Sequence, residues 1–223
     1  GKTTQLPLIL YNAGYSENGM IGITQPRRIA AVSVCDYIAK QLGKTIPDTV
    51  GYKMRFEDVT DERTEIKIMT DGTLLQEIKS DILLTKYNCI IVDEAHERSL
   101  NIDFILGLLK YVLQQRPDFK VIISSATINA QVFSEYFGEC PVVHIETSMY
   151  PVKIRYNPPL PEAGPDGIIL KILDIVDKTI SEQPEGDILI FLPGEKVIKD
   201  CISLLTQLPN KRKLIILPLY SRL

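Results

Sequence analysis

The sequence has few cysteines and histidines, and their positions do not form a metal-binding pattern. Each of the four cysteines has apolar neighbours, where a small buried thiol is ordinary. We therefore predict reduced cysteines in the core. Only two histidines occur in 223 residues, and no second His or Cys lies at ligand spacing from His96, which argues against zinc. The cysteines are Cys35, Cys89, Cys140 and Cys201.

The sequence also lacks long apolar runs and an excess of basic residues. Its apolar runs have the length of strands, whereas a membrane-spanning helix needs about 20 apolar residues, so we predict no membrane role. The formal net charge of −3 argues against a generally basic surface, because phosphate binding depends on clustered Lys and Arg. Any nucleic-acid site must therefore be local.

The first residues lack the regions of a secretion signal and lie instead within a motif. We therefore expect a cytoplasmic protein and a chain that is a piece of a longer one.

Apolar runs of strand length alternate with helical patterns, which is typical of a parallel sheet flanked by helices. The hydrophobic content of 45% is sufficient for a large core. One helix is predicted over residues 27–42 with Gly43 as its C-terminal cap, and another over about 101–115, before Pro117. The predicted strands are residues 21–24, 66–70, 89–92, 121–124 and 142–145.

Prolines are concentrated between residues 151 and 165, where they interrupt any long regular element. We interpret residues 151–166 as a connection between a first domain, 1–150, and an incomplete second α/β domain, 167–223. The elements predicted in the second domain are helices over 168–180 and about 195–208, and strands over 187–191 and 214–217.

Two adjacent carboxylates, Asp93 and Glu94, follow the apolar run 90–92. Consecutive residues leave a strand end in different directions, so one carboxylate can hold Mg²⁺ while the other positions or deprotonates a water. We assign Asp93 to the metal and Glu94 to the water. The alternative is a solvated acidic loop, which the accompanying Lys2 and Thr127 make the weaker interpretation.

The first residues match the end of a phosphate-binding loop. In such a loop a Lys binds the β and γ oxygens and a Ser or Thr hydroxyl binds Mg²⁺. Gly1, Lys2 and Thr3 occupy the last three positions of that motif. A chance Gly-Lys-Thr is the alternative for this match taken alone.

Residues 124–127 (Ser-Ser-Ala-Thr) follow another apolar run, so their hydroxyls should emerge at the carboxyl edge of the sheet. Ser125 and Thr127 can bind a catalytic carboxylate or a neighbouring domain, and a helix N-cap is the alternative. For His96 three roles compete: metal ligand, catalytic base or switch contact. We favour a hydrogen-bonding link to the 125–127 turn. His144, within a predicted strand, is interpreted as structural.

Residues 24–28 (Thr-Gln-Pro-Arg-Arg) also leave a strand and enter a helix. Backbone amides at a helix start, together with Arg27 and Arg28, form a compact site for nucleic-acid phosphates. Two solvated surface arginines are the alternative. Residues 70–72 (Thr-Asp-Gly) lie at the same predicted edge and extend this track.

These motifs, in this order and spacing, resemble those of a DEAH-box RNA helicase of superfamily 2, over nearly all of the chain. They are residues 1–5, 24–28, 70–72, 93–99 and 125–127. Residues 191–195 and 217–223 resemble the bacterial, HrpA-like branch. The resemblance implies a RecA-like parallel sheet flanked by helices, followed by the beginning of a second RecA-like domain, with ATP between the two domains and single-stranded or partly duplex RNA across them.

The resemblance also implies a role for each motif residue. Glu94 would be the general base, beside Asp93 and His96. Ser125 and Thr127 would couple hydrolysis to strand movement. The implied nucleotide and Mg²⁺ ligands are Gly1, Lys2, Thr3 and Thr4 with Asp93, and the implied nucleic-acid residues are Thr24, Arg27, Arg28, Thr70 and Gly72. The family commonly has an Arg that stacks on the nucleotide base, and Tyr37 occupies that position, where a Tyr can also stack.

We therefore expect an ATP-dependent RNA helicase that couples nucleoside triphosphate hydrolysis to translocation, typically 3′ to 5′, and to remodelling of RNA. The alternatives are a non-hydrolysing RNA-binding or assembly module on the same scaffold, and a DNA-directed helicase. A protein activator would be compatible with each. We expect little ATPase activity from this piece alone, because it lacks the front of the phosphate loop and the second-domain arginines that reach the γ-phosphate.

Overall fold

The computed structural model describes residues 1–126, 130–145, 150–159, 167–182, 185–207 and 214–220. The chain divides into two compact units, Gly1–Ile145 and Glu146–Leu223, and each is described by itself.

The first unit is built on a six-stranded sheet with the strand order β3-β2-β4-β1-β5-β6. Five strands run parallel, and β3 pairs antiparallel with β2 at one edge. This mostly parallel sheet with flanking helices confirms the RecA-like α/β fold. The elements of this unit are α1 (Lys2–Asn12), β1 (Met20–Gln25), α2 (Arg28–Leu42), β2 (Val50–Met54), β3 (Glu57–Val59), β4 (Ile66–Thr70), α3 (Asp71–Ser80), β5 (Tyr87–Val92), a short 3-10 helix (Ala95–Glu97), α4 (Leu100–Gln115), β6 (Lys120–Ile123) and α5 (Ala130–Tyr136).

Both faces of the sheet are covered, as parallel sheets require. Alternate residues of the central strands face opposite sides because successive side chains of a strand point in opposite directions. Ile23 and Ile91 pack with α1 and α2 on one face, whereas Ile90 and Val92 pack with α3 and α4 on the other. The sheet is therefore a rigid platform whose strand ends hold the residues that follow them.

The two helices predicted in this unit agree closely with α2 and α4. Gly43 ends α2 in the left-handed conformation at φ 64°, as expected of a glycine cap. Ser99 begins α4, and its hydroxyl accepts a hydrogen bond from the backbone N–H of Ile102 at 3.2 Å. Sequence reasoning missed the β2–β3 hairpin, which is short and rich in charged residues.

The strand predicted over residues 142–145 is wrong. These residues have no strand or helix assignment, and Val143 is 81% exposed. Apolar β-branched residues predicted the strand, but these side chains do not pack against the sheet. His144 is correspondingly exposed and lies outside any strand.

The second unit contains α6 (Gly167–Glu182) and α7 (Glu195–Leu205), which pack through Val176 and Cys201 among others. The strands predicted over 187–191 and 214–217 are wrong, because these residues belong to no strand in the part of the chain that the structure describes. A strand requires a hydrogen-bonded neighbour. The interpretation of residues 167–223 as an incomplete second RecA-like domain stays a prediction.

All four cysteines are free, as predicted, and three of them are buried. Burial raises the pKa of the Cys35 and Cys89 thiols to about 12, so both stay protonated at neutral pH. Within the described residues, no helix has both the length and the apolar character needed to span a membrane.

Candidate functional site

The motif residues meet at the carboxyl edge of the sheet, where four neighbouring parallel strands end. Gln25, the last residue of β1, is in register with Thr70 at the end of β4. On the other side, β5 ends at Val92 beside Ile123 of β6. Asp93 and Ser124 follow these two ends directly. This is the edge at which α/β proteins bind ligands.

The carboxylate of Asp93 is almost fully buried, with 1% of the residue exposed. Its Oδ2 accepts a hydrogen bond of 2.6 Å from Nε2 of Gln25, which is itself 3% exposed. A hydrogen bond to an ionised group offsets part of the cost of burying the charge. The bond therefore fixes the orientation of the Asp93 side chain.

Glu94 differs from its neighbour in both backbone and environment. Its backbone is left-handed, with φ 53° and ψ 35°, a conformation that costs a non-glycine residue about 1–2 kcal/mol. This turn leads into the 3-10 helix Ala95–Glu97 and leaves the Glu94 side chain 40% exposed. The two adjacent carboxylates thus lie in different surroundings, one enclosed and one accessible.

The imidazole of His96 connects Glu94 to the end of β6. Its Nδ1 accepts a hydrogen bond from the backbone N–H of Ala126 at 3.2 Å. The other ring nitrogen, Nε2, lies 3.2 Å from Oε2 of Glu94. Because Nδ1 is the acceptor, the neutral ring carries its proton on Nε2 and donates it towards Glu94.

The segment Ser124–Ala126 also binds Lys2. The Lys2 ammonium donates to the carbonyl oxygen of Ser125, and the carbonyl of Ser124 accepts from the backbone N–H of Ala95 at 3.0 Å. This one segment therefore brings the first turn of α1 and the Asp-Glu-Ala-His turn to the same place. Thr127 lies outside the described residues.

The start of α1 presents groups suited to an anion. Lys2, Thr3 and Thr4 form its first turn, directly after Gly1, and all three are partly exposed. The first backbone N–H groups of a helix have no partner within the helix and carry a partial positive charge. A phosphate group fits this setting.

The predicted nucleic-acid residues lie next to this centre. Arg27 precedes α2 and its guanidinium lies 3.2 Å from Oε1 of Glu97, while Arg28 begins α2 and is exposed. Thr70 precedes α3, and its hydroxyl lies 2.9 Å from that of Thr73.

Gly72, in the first turn of α3, borders open space. A Cβ added there would meet no atom of the protein within 4 Å, so the fold itself does not require a glycine at this position. A glycine that the fold does not need leaves room for close approach of another molecule.

Thr24 and Asp71 lie behind this surface. The Thr24 hydroxyl and Oδ1 of Asp71 are both buried, and neither has a hydrogen-bond partner within the described residues. Burial raises the pKa of the Asp71 carboxyl, and the negative charge of Glu97 adds to this effect. Asp71 is thus a carboxyl group held in an unfavourable environment.

Tyr37 lies on α2 with 43% of its surface exposed. Its contact with a nucleotide base stays a prediction.

Sequence reasoning missed two residues of this site, Gln25 and Glu97. Gln25 lies in the motif 24–28 and Glu97 in the motif 93–99. The signal that could have identified Gln25 is its position at the end of the strand beside β5.

No group of three or more His, Cys, Asp or Glu that could hold a metal occurs in the part of the chain that the structure describes. Mg²⁺ bound with phosphates is commonly held by only one or two carboxylates together with water. The enclosed carboxylate of Asp93 fits that pattern.

Comparison with known proteins decides the family. The model of the DEAD/DEAH box helicase family matches residues 1–135, which include every residue of the site described above. The chain belongs to the DEAD/DEAH box helicase family. The predicted family is confirmed.

The relatives of this helicase chain agree with the predicted bacterial, HrpA-like branch. It is 60% identical over 223 residues to the ATP-dependent RNA helicase HrpA of Borreliella burgdorferi, covering 100% of this chain and 27% of that protein. It is 49% identical to HrpA of Escherichia coli and to the HrpA homolog of Haemophilus influenzae, covering 17% of each. The chain thus spans about a quarter or less of the length of these curated relatives.

Proposed function

We propose that this chain forms part of an ATP-dependent RNA helicase that couples nucleoside triphosphate hydrolysis to translocation on RNA and remodelling of it. The observation that carries the proposal is the linkage of Lys2, Asp93, Glu94 and His96 at one sheet edge, through Gln25 and the segment Ser124–Ala126. The similarity to ATP-dependent RNA helicases of the HrpA type supports it.

ATP and Mg²⁺ would be held by groups that the structure brings to this edge. The first turn of α1, from Gly1 to Thr4, would bind the phosphates, with Lys2 on the β and γ oxygens. The Thr3 hydroxyl and the Asp93 carboxylate would hold Mg²⁺, which supplies charge neutralisation at the transferring phosphoryl group when bound. An anionic phosphate would be a stronger partner for the Lys2 ammonium than the neutral Ser125 carbonyl.

Glu94 would act on the attacking water. It is the accessible member of the carboxylate pair, so it can accept a proton from water while Asp93 remains enclosed. His96 would orient Glu94, because its Nε2–H points to Oε2 and its Nδ1 is fixed by Ala126. Ser125 would couple the phosphate site to Glu94 and His96, because its carbonyl oxygen accepts a hydrogen bond from Lys2. Thr127 is proposed for the same coupling on the family resemblance alone.

RNA would bind across the neighbouring strand ends. Arg27 and Arg28 would contact phosphates of the RNA. Thr70 and Gly72 would allow the RNA backbone to approach α3 closely. Thr24 is completely buried, so we propose that it positions the residues after it instead of contacting RNA itself. Tyr37 would stack on the nucleotide base.

Two other functions remain as alternatives: a non-hydrolysing assembly module on this scaffold, and a DNA-directed helicase. ATP hydrolysis by the full-length protein, measured without nucleic acid, with single-stranded RNA and with single-stranded DNA of the same sequence, separates them. Stimulation by RNA well above that by DNA supports the proposal. Hydrolysis under none of these conditions supports the non-hydrolysing assembly module. Preferential stimulation by DNA supports the DNA-directed helicase. A protein activator and a cytoplasmic location belong to the same proposal.

A further inference from the structure

The buried hydrogen bond between Gln25 and Asp93 joins two segments that have separate proposed tasks. Gln25 ends β1 and is followed directly by Pro26 and Arg27, where RNA is proposed to bind. Asp93 follows β5 and is proposed to hold Mg²⁺. The bond measures 2.6 Å from Nε2 to Oδ2, and the two residues are 3% and 1% exposed. The acceptor is a carboxylate, so the donor must be the NH₂ group of the amide.

A second contact joins the same two segments at the surface. The guanidinium of Arg27 lies 3.2 Å from Oε1 of Glu97, and the Arg27 side chain is 79% exposed. Residues 25–27 and 93–97 are therefore connected twice, once in the interior and once in solvent.

The two connections differ in strength. An exposed ion pair contributes little, because water and salt screen it. A buried hydrogen bond to a charged group is worth roughly 10- to 100-fold in an equilibrium or a rate. RNA phosphates would therefore displace Glu97 from Arg27 easily, while the Gln25–Asp93 bond would persist.

We propose that Gln25 is a positioning residue that transmits RNA binding at Arg27 and Arg28 to the carboxylate of Asp93. This inference rests on the proposed function. Pro26 stiffens the link, since its ring fixes φ between the residue that binds Asp93 and the residue that binds RNA. A shift of the Arg27 backbone on phosphate binding moves Gln25, and the Asp93 carboxylate follows through its Oδ2.

The test replaces Gln25 in the full-length protein. Gln25→Met keeps the length of the side chain and removes the N–H donor. Gln25→Asn keeps the amide, but its side chain is one methylene shorter, so the amide lies farther from Asp93. Gln114→Met, on the exposed side of α4, is the matched control. For each protein, kcat and the half-saturating Mg²⁺ concentration are measured without RNA and with saturating single-stranded RNA, together with the RNA Kd and the thermal midpoint.

We expect both Gln25 variants to lower the ratio of RNA-stimulated to basal kcat by about tenfold and to raise the Mg²⁺ requirement. The RNA Kd should stay within about twofold of that of the Gln114→Met control, because Gln25 touches no RNA in this arrangement. The Asn variant keeps the inference testable if the Met variant does not fold.

A purely structural role predicts a different result. Basal and stimulated kcat would then fall by the same factor, with an unchanged ratio and a lower thermal midpoint, and that outcome overturns the inference. Failure of the proposed function is seen separately, in the wild-type protein, as the lack of any stimulation by RNA.

Discussion

Nε2 of His96 lies 3.2 Å from Oε2 of Glu94, which makes the histidine the orienting partner of the accessible carboxylate. The ring cannot turn freely, since its Nδ1 accepts the backbone N–H of Ala126. The end of β6 is thereby connected to the carboxylate proposed to act on water.

Replacing His96 should slow hydrolysis without weakening ATP binding. We expect His96→Ala in the full-length protein to lower kcat by about 10- to 100-fold, because an orienting hydrogen bond to a charged group is lost. KM for ATP should change little. His96→Gln, whose amide can reach the position of Nε2, should retain more activity than His96→Asn. Steady-state kinetics check this, and equal activity of all three variants would contradict an orienting role.

Replacing Gly72 should impair RNA binding without destabilising the fold. A Cβ at this position meets no protein atom, and alanine is favoured over glycine in a helix, so Gly72→Ala should leave the free energy of unfolding unchanged or raise it by up to about 1 kcal/mol. RNA affinity should fall, because the added methyl group occupies the space proposed for the RNA backbone. RNA titration and urea unfolding measure the two effects.

Gly51→Ala is the contrasting control. There the new Cβ would lie 2.6 Å from the backbone carbonyl oxygen of Val59, so we expect a loss of about 1–3 kcal/mol. If Gly72→Ala destabilised the protein as much as Gly51→Ala, the open space at Gly72 would not be a binding surface.

The buried carboxyl of Asp71 should lower stability at neutral pH. Its pKa is raised in the folded state, chiefly by burial, so the folded protein holds this proton more tightly than the unfolded chain does. The contribution of Asp71 to stability therefore falls as pH rises from about 4 through the folded-state pKa. We expect Asp71→Asn to gain stability relative to wild type as pH rises over this window, and the gain then to level off.

Urea unfolding of both proteins from pH 4 to pH 7 measures this difference. Because other carboxyl groups titrate equally in the two proteins, only the difference is informative. A difference that does not vary with pH would show that Asp71 is not held in the proposed environment.

A buried ionic cluster should hold α3, and with it Gly72, against the sheet. The ammonium of Lys67 and the hydroxyl of Tyr87 both donate to the carboxylate of Glu77 on α3. Lys67 is only 6% exposed, so Glu77→Leu would leave a buried cation without its closest partner, at a cost of about 3–5 kcal/mol. The double variant Lys67→Met with Glu77→Leu should recover much of that loss.

Chemical denaturation of the single and double variants forms a double-mutant cycle for this pair. Additive losses would mean that Lys67 and Glu77 do not stabilise each other.

The sequence was most informative where periodicity and motif chemistry agreed. The apolar runs before Asp93 and before Ser124 predicted buried strands; both form strands, β5 buried and β6 only partly buried, and the functional residues follow them at one edge. The run over 142–145 is also rich in β-branched residues yet is exposed, because propensity alone does not provide a neighbouring strand.

Side-chain partners were beyond sequence reasoning for a similar reason. The contacts of Gln25 with Asp93 and of Lys67 with Glu77 depend on strand order and on which face a residue occupies, and both were visible only in the folded structure.

The most direct test of the account is Glu94→Gln in the full-length protein, with ATP hydrolysis and ATP-dependent RNA binding measured on the same preparation. The account predicts that RNA-stimulated hydrolysis is lost while RNA binding in the presence of Mg²⁺-ATP is retained, because the amide keeps the shape of the side chain but accepts no proton. Undiminished hydrolysis, or an equal loss of hydrolysis and binding, would contradict the role of Glu94 as the base of an RNA-driven ATPase.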